Sequence, residues 1–395
     1  MDIQERVEKL SRLPELQRIW NYLDDVLIDG IAEATIIQQI PAPTFHELVR
    51  ANHVLSRMGA CGLQDTGIDE VHNTFGRIPG TNPEAPALLV AAHTDTVFGD
   101  DADLTIRHEA DGRIYGPGLG DNSLGVAGLI VLADVLRQFR IRPRRDIWFL
   151  ANSREEGLGD LGGIRQFYEH HKDHLGLGVI LEGLALGRIY RAGIAVRRFH
   201  VTFHAAGGHS WQHFGQPSAV HAMLRVGARL TELQPTAEPR TTYNIGLVEG
   251  GHSINSLATD AGFYLDMRSQ SPEELAGLEQ QVREIIERIG AECDGVRIEI
   301  DVVGDRPAGA IDVDHELVRG ASAALQAVGI TPSYESGSTD ANLLLAKGVP
   351  TVTIGLTHGG NAHRQDEYIE TGPLVLGLRQ LILLILAAAE WEPAT

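Results

Sequence analysis

Three short runs of apolar residues constrain the fold of this chain more than any other feature. They are ALLVAA at residues 87–92, DIWFLA at residues 146–151 and GVIL at residues 178–181. None of them alternates apolar with polar side chains, which is the pattern expected of strands that are covered on both faces. Because helical segments separate the runs, the sequence predicts an α/β domain with a largely parallel sheet.

The pattern changes between residues 194 and 306. Four segments there alternate polar and apolar residues: 197–203, 242–247, 262–267 and 296–302. Two segments between them have helical spacing: 217–233 and 272–289. The order β-α-β-β-α-β predicts a ferredoxin-like α+β domain whose sheet has one solvated face. Since the α/β pattern returns near the C-terminus, we expect one domain built from residues 1–192 and 305–395, with residues 193–304 inserted into it.

Composition and charge argue against several classes of protein. The formal net charge of −20 disfavours nucleic-acid binding, which depends on Lys and Arg. Two cysteines, Cys61 and Cys293, provide neither a disulfide framework nor a cysteine-rich zinc site. Residues 1–21 lack the apolar core of a secretory signal, and residues 374–389 fall short of the roughly 20 apolar residues that span a bilayer. The sequence therefore predicts a cytoplasmic protein that binds no membrane.

Histidine and carboxylate residues follow the predicted strands at the points where the strands end. The apolar runs lead into His93-Thr94-Asp95, Glu155-Glu156 and Glu182, and two further candidates are Asp121 and His363 on glycine-containing turns. Because the carboxyl ends of parallel strands meet at one edge of a sheet, these side chains should converge. Clustered carboxylates repel one another unless cations lie between them. A set of His and carboxylate ligands without thiolate suits catalytic zinc, and the number of carboxylates suits two ions.

Each of these residues could also have a purely structural role when it is considered alone. Asp121 could be the N-cap of the following helix, and the two adjacent glutamates could lie in a solvated loop. His358 is a second candidate for the ligand role given to His363. The glycines at 116–120 do not indicate a nucleotide site, because no strand leads into them with the required spacing and no Walker lysine follows.

The chain resembles the M20 family of di-zinc peptidases and amidohydrolases over nearly its whole length. The resemblance rests on short sequences in a common order: HTD at 93–95, GDN at 120–122, EEG at 155–157, Glu182-Gly183, STD at 338–340 and NAH at 361–363. It implies a phosphorylase/hydrolase-like, mixed-sheet catalytic domain. It also implies that the inserted ferredoxin-like domain is a dimerisation domain, or lid, through which the chain forms a homodimer.

The resemblance further implies two Zn²⁺ per chain, with Co²⁺ or Mn²⁺ as substitutes. One ion is expected to be bound by His93, Asp121 and Glu182. The other is expected to be bound by Asp121, Glu156 and His363, so that Asp121 bridges the two.

Roles in catalysis and substrate binding follow from the same resemblance. Glu155 is expected to be the general base, Asp95 to orient His93, and His209 to stabilise the oxyanion in the partner subunit's active site. Three residues are expected to bind the substrate: Asn255, Arg268 and Ser338. Structural alternatives stay open for His209 and Arg268. His209 could be an ordinary loop residue, and Arg268 could pair with Asp266.

The expected activity is hydrolysis of a peptide bond in a di- or tripeptide, or at the end of a peptide. Deacylation of N-acyl amino acids is the alternative within the same family. A catalytically inactive binding protein on the same fold is the alternative of another class, and a hydrolase with a single metal ion is a third.

Overall fold

The computed structural model describes residues 1–393 of the chain. These residues form two compact units. Unit 1 consists of Met1–Gly193 together with the segment that begins at Gly309, and unit 2 consists of Ile194–Ala308.

Helices and strands alternate along the chain. Ten α-helices are found in residues 1–393: α1 (Ile3–Leu10), α2 (Pro14–Gln38), α3 (Leu48–Ala60), α4 (Leu124–Gln138), α5 (Gly162–His171), α6 (Ala219–Leu230), α7 (Pro272–Ala291), α8 (Glu316–Ala327), α9 (Ala341–Ala346) and α10 (Leu374–Ala388). The same residues contain nineteen strands: β1 (Gln64–Ile68), β2 (Thr74–Ile78), β3 (Ala87–His93), β4 (Arg107–His108), β5 (Arg113–Tyr115), β6 (Ile147–Asn152), β7 (Leu175–Leu181), β8 (Arg188–Gly193), β9 (Ala195–His204), β10 (Gly208–His209), β11 (Thr241–Gly250), β12 (Ser256–Leu257), β13 (Asp260–Ser269), β14 (Arg297–Arg306), β15 (Gly309–Ala310), β16 (Ser333–Gly337), β17 (Thr351–Ile354), β18 (Gly359–Gly360) and β19 (Tyr368–Glu370).

A nine-stranded mixed sheet lies at the centre of unit 1. Its strand order is β1-β2-β6-β3-β7-β17-β8-β15, and β16 also pairs with β8. The inner strands β6, β3, β7 and β17 are parallel to one another, whereas β2 pairs with β6 in the antiparallel direction. The predicted α/β fold with a mixed sheet is confirmed.

Alternate residues of β3 pack into two different hydrophobic cores. Leu88 and Val90 lie in the core that contains side chains of α2, α4 and α10. Leu89 and Ala91 pack with side chains of α5 and α9. Both faces of this strand are therefore covered, which explains why its sequence is a continuous apolar run.

The most apolar helical segments belong to the core of unit 1. Within residues 1–393, Leu119–Gln138 is the one helical segment long and apolar enough to cross a membrane, and 83% of its most apolar window is buried inside the fold. The predicted C-terminal helix is α10, and its residues 381–388 are nearly inaccessible to solvent. Helix α4 packs against β3, β6 and β7, and α10 packs against α1, α2, α4 and α8, which accounts for the apolar character of both.

Unit 2 has the ferredoxin-like arrangement that the sequence predicts. Its main strands are antiparallel and run in the order β11-β13-β9-β14. Phe199, Val201 and Phe203 on one face of β9 pack in a core with side chains of α6 and α7. His200 and His204 on the other face remain partly exposed. One face of the sheet is thus apolar and covered by helices, and the other is polar.

Candidate metal centre

The carboxyl ends of neighbouring parallel strands bring the candidate residues to one edge of the central sheet. His93 ends β3 and lies opposite Asn152, which ends the adjacent β6. Glu155 and Glu156 follow β6, and Glu182 follows β7 directly. Each strand ends where its apolar run ends. The polar residues that follow the runs therefore lie at the carboxyl ends of the strands, at one edge of the sheet.

His93, Asp121 and Glu182 form the first of three groups of potential ligands. The Nε2 atom of His93 lies 3.1 Å from Oδ1 of Asp121 and 3.8 Å from Oε2 of Glu182. Each residue offers one donor atom within 4.8 Å of the others. The Nδ1 atom of His93 donates to the backbone oxygen of Asp95 at 2.9 Å. In a neutral ring this hydrogen bond leaves Nε2 as the atom that faces the carboxylates.

Asp121, Glu156 and His363 form the second group. The Nε2 atom of His363 lies 3.0 Å from Oδ2 of Asp121 and 3.0 Å from Oε1 of Glu156. The two carboxylate oxygens of Asp121 thus face different histidines, Oδ1 towards His93 and Oδ2 towards His363. In this arrangement each oxygen of Asp121 belongs to a different group of potential ligands. A third combination, His93 with Glu155 and Glu156, also lies within 4.8 Å.

The fully buried carboxylate of Asp95 fixes the main chain that carries the two glutamates. Its Oδ1 accepts the N–H of Glu155 and its Oδ2 accepts the N–H of Glu156, both at 2.9 Å. Thr44 donates to Oδ2 at 2.8 Å. The Nδ1 atom of His93 is 3.6 Å from this carboxylate, farther than from the Asp95 backbone oxygen. The backbone oxygen of Asp95 therefore orients His93, and the side-chain carboxylate of Asp95 holds the main chain of residues 155–156.

Close backbone contacts hold Asp121 beside Glu182. A Cβ atom on Gly183 would lie 2.2 Å from the backbone oxygen of Gly120, so this approach requires glycine. The side chain of Asn122 donates to the backbone oxygen of Leu181 at 2.7 Å and accepts the N–H of Gly183 at 3.1 Å. The peptide bond between Asp121 and Asn122 is cis.

Asp121 does not serve as the N-cap of the following helix. Helix α4 begins at Leu124, and the residue before it is Ser123. The backbone of Asp121 is not helical, and its carboxylate lies against the two histidines. The capping role considered for this residue is therefore wrong.

Two effects dominate the electrostatics of the cluster: its carboxylates lie close together, and they are largely buried from solvent. Hydrogen bonds to Asp121 and Glu156 raise the pKa of His363 to about 11. Burial raises the pKa of Glu182 well above its usual value, against the opposing charge of His93. Burial likewise raises the pKa of Glu156, although the hydrogen bond from His363 opposes it.

Such a cluster binds protons or cations to relieve repulsion. Two imidazoles and three carboxylates supply the donor types that zinc and related divalent cations prefer. The residues present therefore fit a centre with two ions.

Two buried carboxyl groups beside the cluster were not among the predicted site residues. Asn152 donates to Oδ2 of Asp340 at 2.7 Å, and burial, reinforced by the charge of Glu155, raises the pKa of Asp340 to about 7. Burial, reinforced by the charge of Asp121, raises the pKa of Glu367 to about 7. Asp340 lies in the STD sequence at 338–340, so a signal for it was present. Glu367 follows the NAH turn by four residues, and nothing in its local sequence indicates its contacts.

In unit 2, hydrogen bonds around His209 determine where its ring carries a proton. The backbone N–H of Trp211 donates to Nδ1 of His209 at 3.1 Å, so in the neutral ring Nε2 carries the proton. His209 pairs with Ser256 between β10 and β12, and the backbone oxygen of Asn255 accepts the N–H of Ser210 at 3.0 Å. His209 and Asn255 are exposed and belong to adjoining segments.

The remaining predicted residues have different surroundings. The Nε atom of Arg268 donates to Oδ2 of Asp266 at 2.7 Å, and Arg198 donates to Oδ1 of the same carboxylate at 2.8 Å, so the pairing of Arg268 with Asp266 that stayed open is present. Ser338 lies in unit 1 between β16 and α9. His358 is exposed and belongs to none of the three ligand groups found in residues 1–393.

Sequence comparisons relate the chain to known hydrolases. The model of a family described as Peptidase family M20/M25/M40 matches residues 89–387. The chain is similar to the acetylornithine deacetylase of Klebsiella pneumoniae (strain 342), with 24% identity over 363 residues that cover 86% of this chain and 92% of that protein.

Solved structures share the fold at low sequence identity. The aminopeptidase PepT from Bacillus cereus ATCC 10987 matches with a TM-score of 0.71 and 22% identity, covering 92% of this chain and 99% of that one. The YXEP protein of Bacillus subtilis, described as a dinuclear metal binding peptidase, matches with a TM-score of 0.65 and 16% identity, covering 93% and 99%.

Proposed function

Because the chain belongs to Peptidase family M20/M25/M40 and is a metal-dependent hydrolase, we propose that it cleaves an amide bond next to a free carboxylate. A di- or tripeptide is the first candidate substrate. The observation that carries the proposal is the position of Asp121, whose two oxygens lie 3.1 Å and 3.0 Å from the Nε2 atoms of His93 and His363.

Two Zn²⁺ per chain are proposed, with Co²⁺ or Mn²⁺ as substitutes. His93, Asp121 and Glu182 would hold one ion, and Asp121, Glu156 and His363 the other. Ions of this kind act as Lewis acids and lower the pKa of water. The support is that the donor atoms within each group lie within 4.8 Å of one another, and that a structural neighbour is described as dinuclear.

Glu155 is the proposed general base. Its carboxylate would accept a proton from the attacking water and return it to the leaving amine. Glu155 is 5% exposed, and the carboxylate of Asp95 holds its backbone N–H at 2.9 Å. A buried base on a fixed main chain keeps its position through both proton transfers.

His209 is proposed to donate a hydrogen bond to the oxyanion. The contact from Trp211 to Nδ1 leaves Nε2 as the donor, which is the protonation that this role needs. Asn255, Arg268 and Ser338 are proposed to bind the substrate. An Arg fork suits a carboxylate, and Arg268 would share its donors between Asp266 and the substrate.

A homodimer formed through unit 2 is also proposed. β11 is an edge strand of the four-stranded sheet, and Leu247 and Val248 on it are each 62% exposed. Leu224 on helix α6, which packs against this sheet, is 58% exposed. An open strand edge beside exposed apolar side chains favours pairing with a second chain.

Deacylation of N-acyl amino acids is the second candidate, since the chain is 24% identical to an acetylornithine deacetylase. Both substrate classes present an amide beside a carboxylate, so the same groups would serve either. A cytoplasmic location stays a prediction from the sequence, and cell fractionation would test it.

A substrate panel tests the proposal. The chelator-treated protein is reconstituted with zinc, cobalt or manganese and assayed with dipeptides, tripeptides, N-acetyl amino acids and the C-terminal amides of the same peptides. Cleavage of free peptides but not of their amides is expected. Exclusive cleavage of N-acetyl amino acids would replace peptidase by deacylase, and no cleavage with any metal would contradict hydrolysis.

A further inference from the structure

The carboxylate of Glu367 is wrapped by the main chain of the segment that carries Asp121. Its Oε2 accepts the N–H of Gly118 at 3.0 Å. Its Oε1 accepts the N–H of Gly120 at 2.6 Å and that of Asp121 at 2.9 Å. Glu367 is 0% exposed, so these hydrogen bonds form away from water.

A buried carboxylate is costly unless hydrogen bonds compensate for the lost hydration. Three convergent N–H groups supply such a set, in the manner of a backbone anion nest. The three N–H groups also depend on the carboxylate, because burying them without an acceptor would cost free energy. The backbone at residues 118–121 and the side chain of Glu367 therefore fix each other's positions.

The same residue connects two of the three segments that carry the candidate ligands of the second group, those of Asp121 and His363. The backbone oxygen of Glu367 accepts the N–H of Gly116 at 2.9 Å. Glu367 lies four residues after His363, directly before β19, which pairs with β5. Asp121 and His363 come from distant parts of the sequence, and this contact holds their main chains together.

We propose that Glu367 is a positioning residue that sets the orientation of the Asp121 carboxylate between His93 and His363, and through it the affinity for metal. This inference rests on the proposed function, because it concerns the same metal centre. Glu367 itself faces backbone N–H groups and acts through Asp121.

Glu367→Gln is the sharpest substitution because it preserves size and shape. The amide nitrogen that replaces one oxygen is a donor, so either Gly118 or the pair Gly120 and Asp121 would lose its acceptor. Glu367→Asp keeps the charge on a shorter side chain and is the second variant. Glu370→Gln is the matched control, since Glu370 lies on β19 of the same segment and its side chain is 35% exposed.

The experiment titrates chelator-treated proteins with Co²⁺ and records the absorption spectrum, the stoichiometry and the dissociation constants. Loss of a residue that orients a metal ligand typically weakens metal binding by about 10 to 100-fold. We expect that loss and an altered cobalt spectrum for Glu367→Gln, a smaller loss for Glu367→Asp, and wild-type values for Glu370→Gln.

A purely structural role would lower the melting temperature of the metal-free protein and leave the dissociation constants unchanged. Cobalt affinities within twofold of wild type in whichever Glu367 variant folds would overturn the proposal. If the wild-type chain itself fails to bind two ions, the proposed function fails instead, so the two failures are distinguishable.

Discussion

Glu155 and Glu156 are adjacent in the chain, and different roles are proposed for their side chains. Oε1 of Glu156 lies 3.0 Å from Nε2 of His363 in a candidate ligand group. Burial raises the pKa of both Glu156 and Asp340, and the negative charge of Glu155 raises each pKa further. Loss of a metal ligand changes metal binding, whereas loss of a general base changes turnover. Substitution of Glu156 should therefore affect metal binding, and substitution of Glu155 should affect turnover.

Glu155→Gln is expected to lower kcat by about 10² to 10⁴-fold while the metal content stays at the wild-type level, because an amide cannot accept the proton. Glu156→Gln should instead weaken metal binding. Steady-state kinetics and elemental analysis of the same samples provide the measurement. Loss of metal from Glu155→Gln would favour the ligand group of His93, Glu155 and Glu156 and exclude the assigned role.

Asp340 supplies a prediction about pH. Burial, with the charges of Glu155 and Asp95 and against that of His93, raises its pKa to about 7. The folded protein therefore keeps a proton that the unfolded chain releases near pH 4, so the stability contributed by this group falls as pH rises from about 4 to about 7. One such proton changes stability by at most about 1.4 kcal/mol per pH unit.

Asp340→Asn removes the ionisation but keeps the shape. We expect the melting temperature of the metal-free variant to equal that of the metal-free wild type at pH 5 and to exceed it at pH 8. Differential scanning calorimetry of chelator-treated proteins measures both. An equal difference in melting temperature at the two pH values would show that Asp340 is ionised throughout.

At the level of elements, the strands were predictable and the turns between them only in part. β3 is an apolar run because alternate residues enter two cores, and this is visible in the sequence. The contact between Glu367 and Asp121 joins residues 246 positions apart. Such a contact depends on the pairing of β19 with β5, which no local pattern indicates.

The turn after β7 must approach the segment before α4 closely, which gives a prediction for Gly183. Gly183→Ala places a Cβ atom 2.2 Å from the backbone oxygen of Gly120 and should destabilise the protein by about 1–3 kcal/mol. It should also weaken metal binding, because Glu182 and Asp121 would move apart. Urea denaturation and cobalt titration measure the two effects.

Gly277→Ala in α7 is the control, since a Cβ there meets nothing within 4 Å and alanine favours a helix. A Gly183→Ala protein as stable as the control would mean that the turn adjusts without cost.

For the whole molecule, the mixed α/β fold with a ferredoxin-like unit could be predicted from the switch between continuous and alternating apolar patterns. The choice of candidate ligands came from the resemblance as much as from the pattern. The pairing of Arg268 with Asp266 was one of two alternatives that the sequence left open. The tautomer of His209 could not be predicted, because it depends on which backbone N–H the folded turn brings to its ring.

Dimerisation through unit 2 is testable at the two edges of its sheet. Val248→Lys places a charge on the edge strand β11 and should shift the protein from dimer to monomer. Val302→Lys on β14, the opposite edge, is the matched control, since Val302 is 47% exposed. Light scattering after size exclusion gives the mass. A monomeric wild type, or a monomer produced only by Val302→Lys, would contradict the proposed interface.

We expect one chain to bind two metal ions, with Asp121 shared between the two groups of ligands. Equilibrium dialysis of the chelator-treated protein against Co²⁺, with amide hydrolysis assayed on the same samples, tests it most directly. We predict saturation at two ions per chain, activity that appears with the bound ions, and loss of both in Asp121→Asn. Full activity in the metal-free protein, or saturation at one ion with unchanged binding in Asp121→Asn, would contradict the claim.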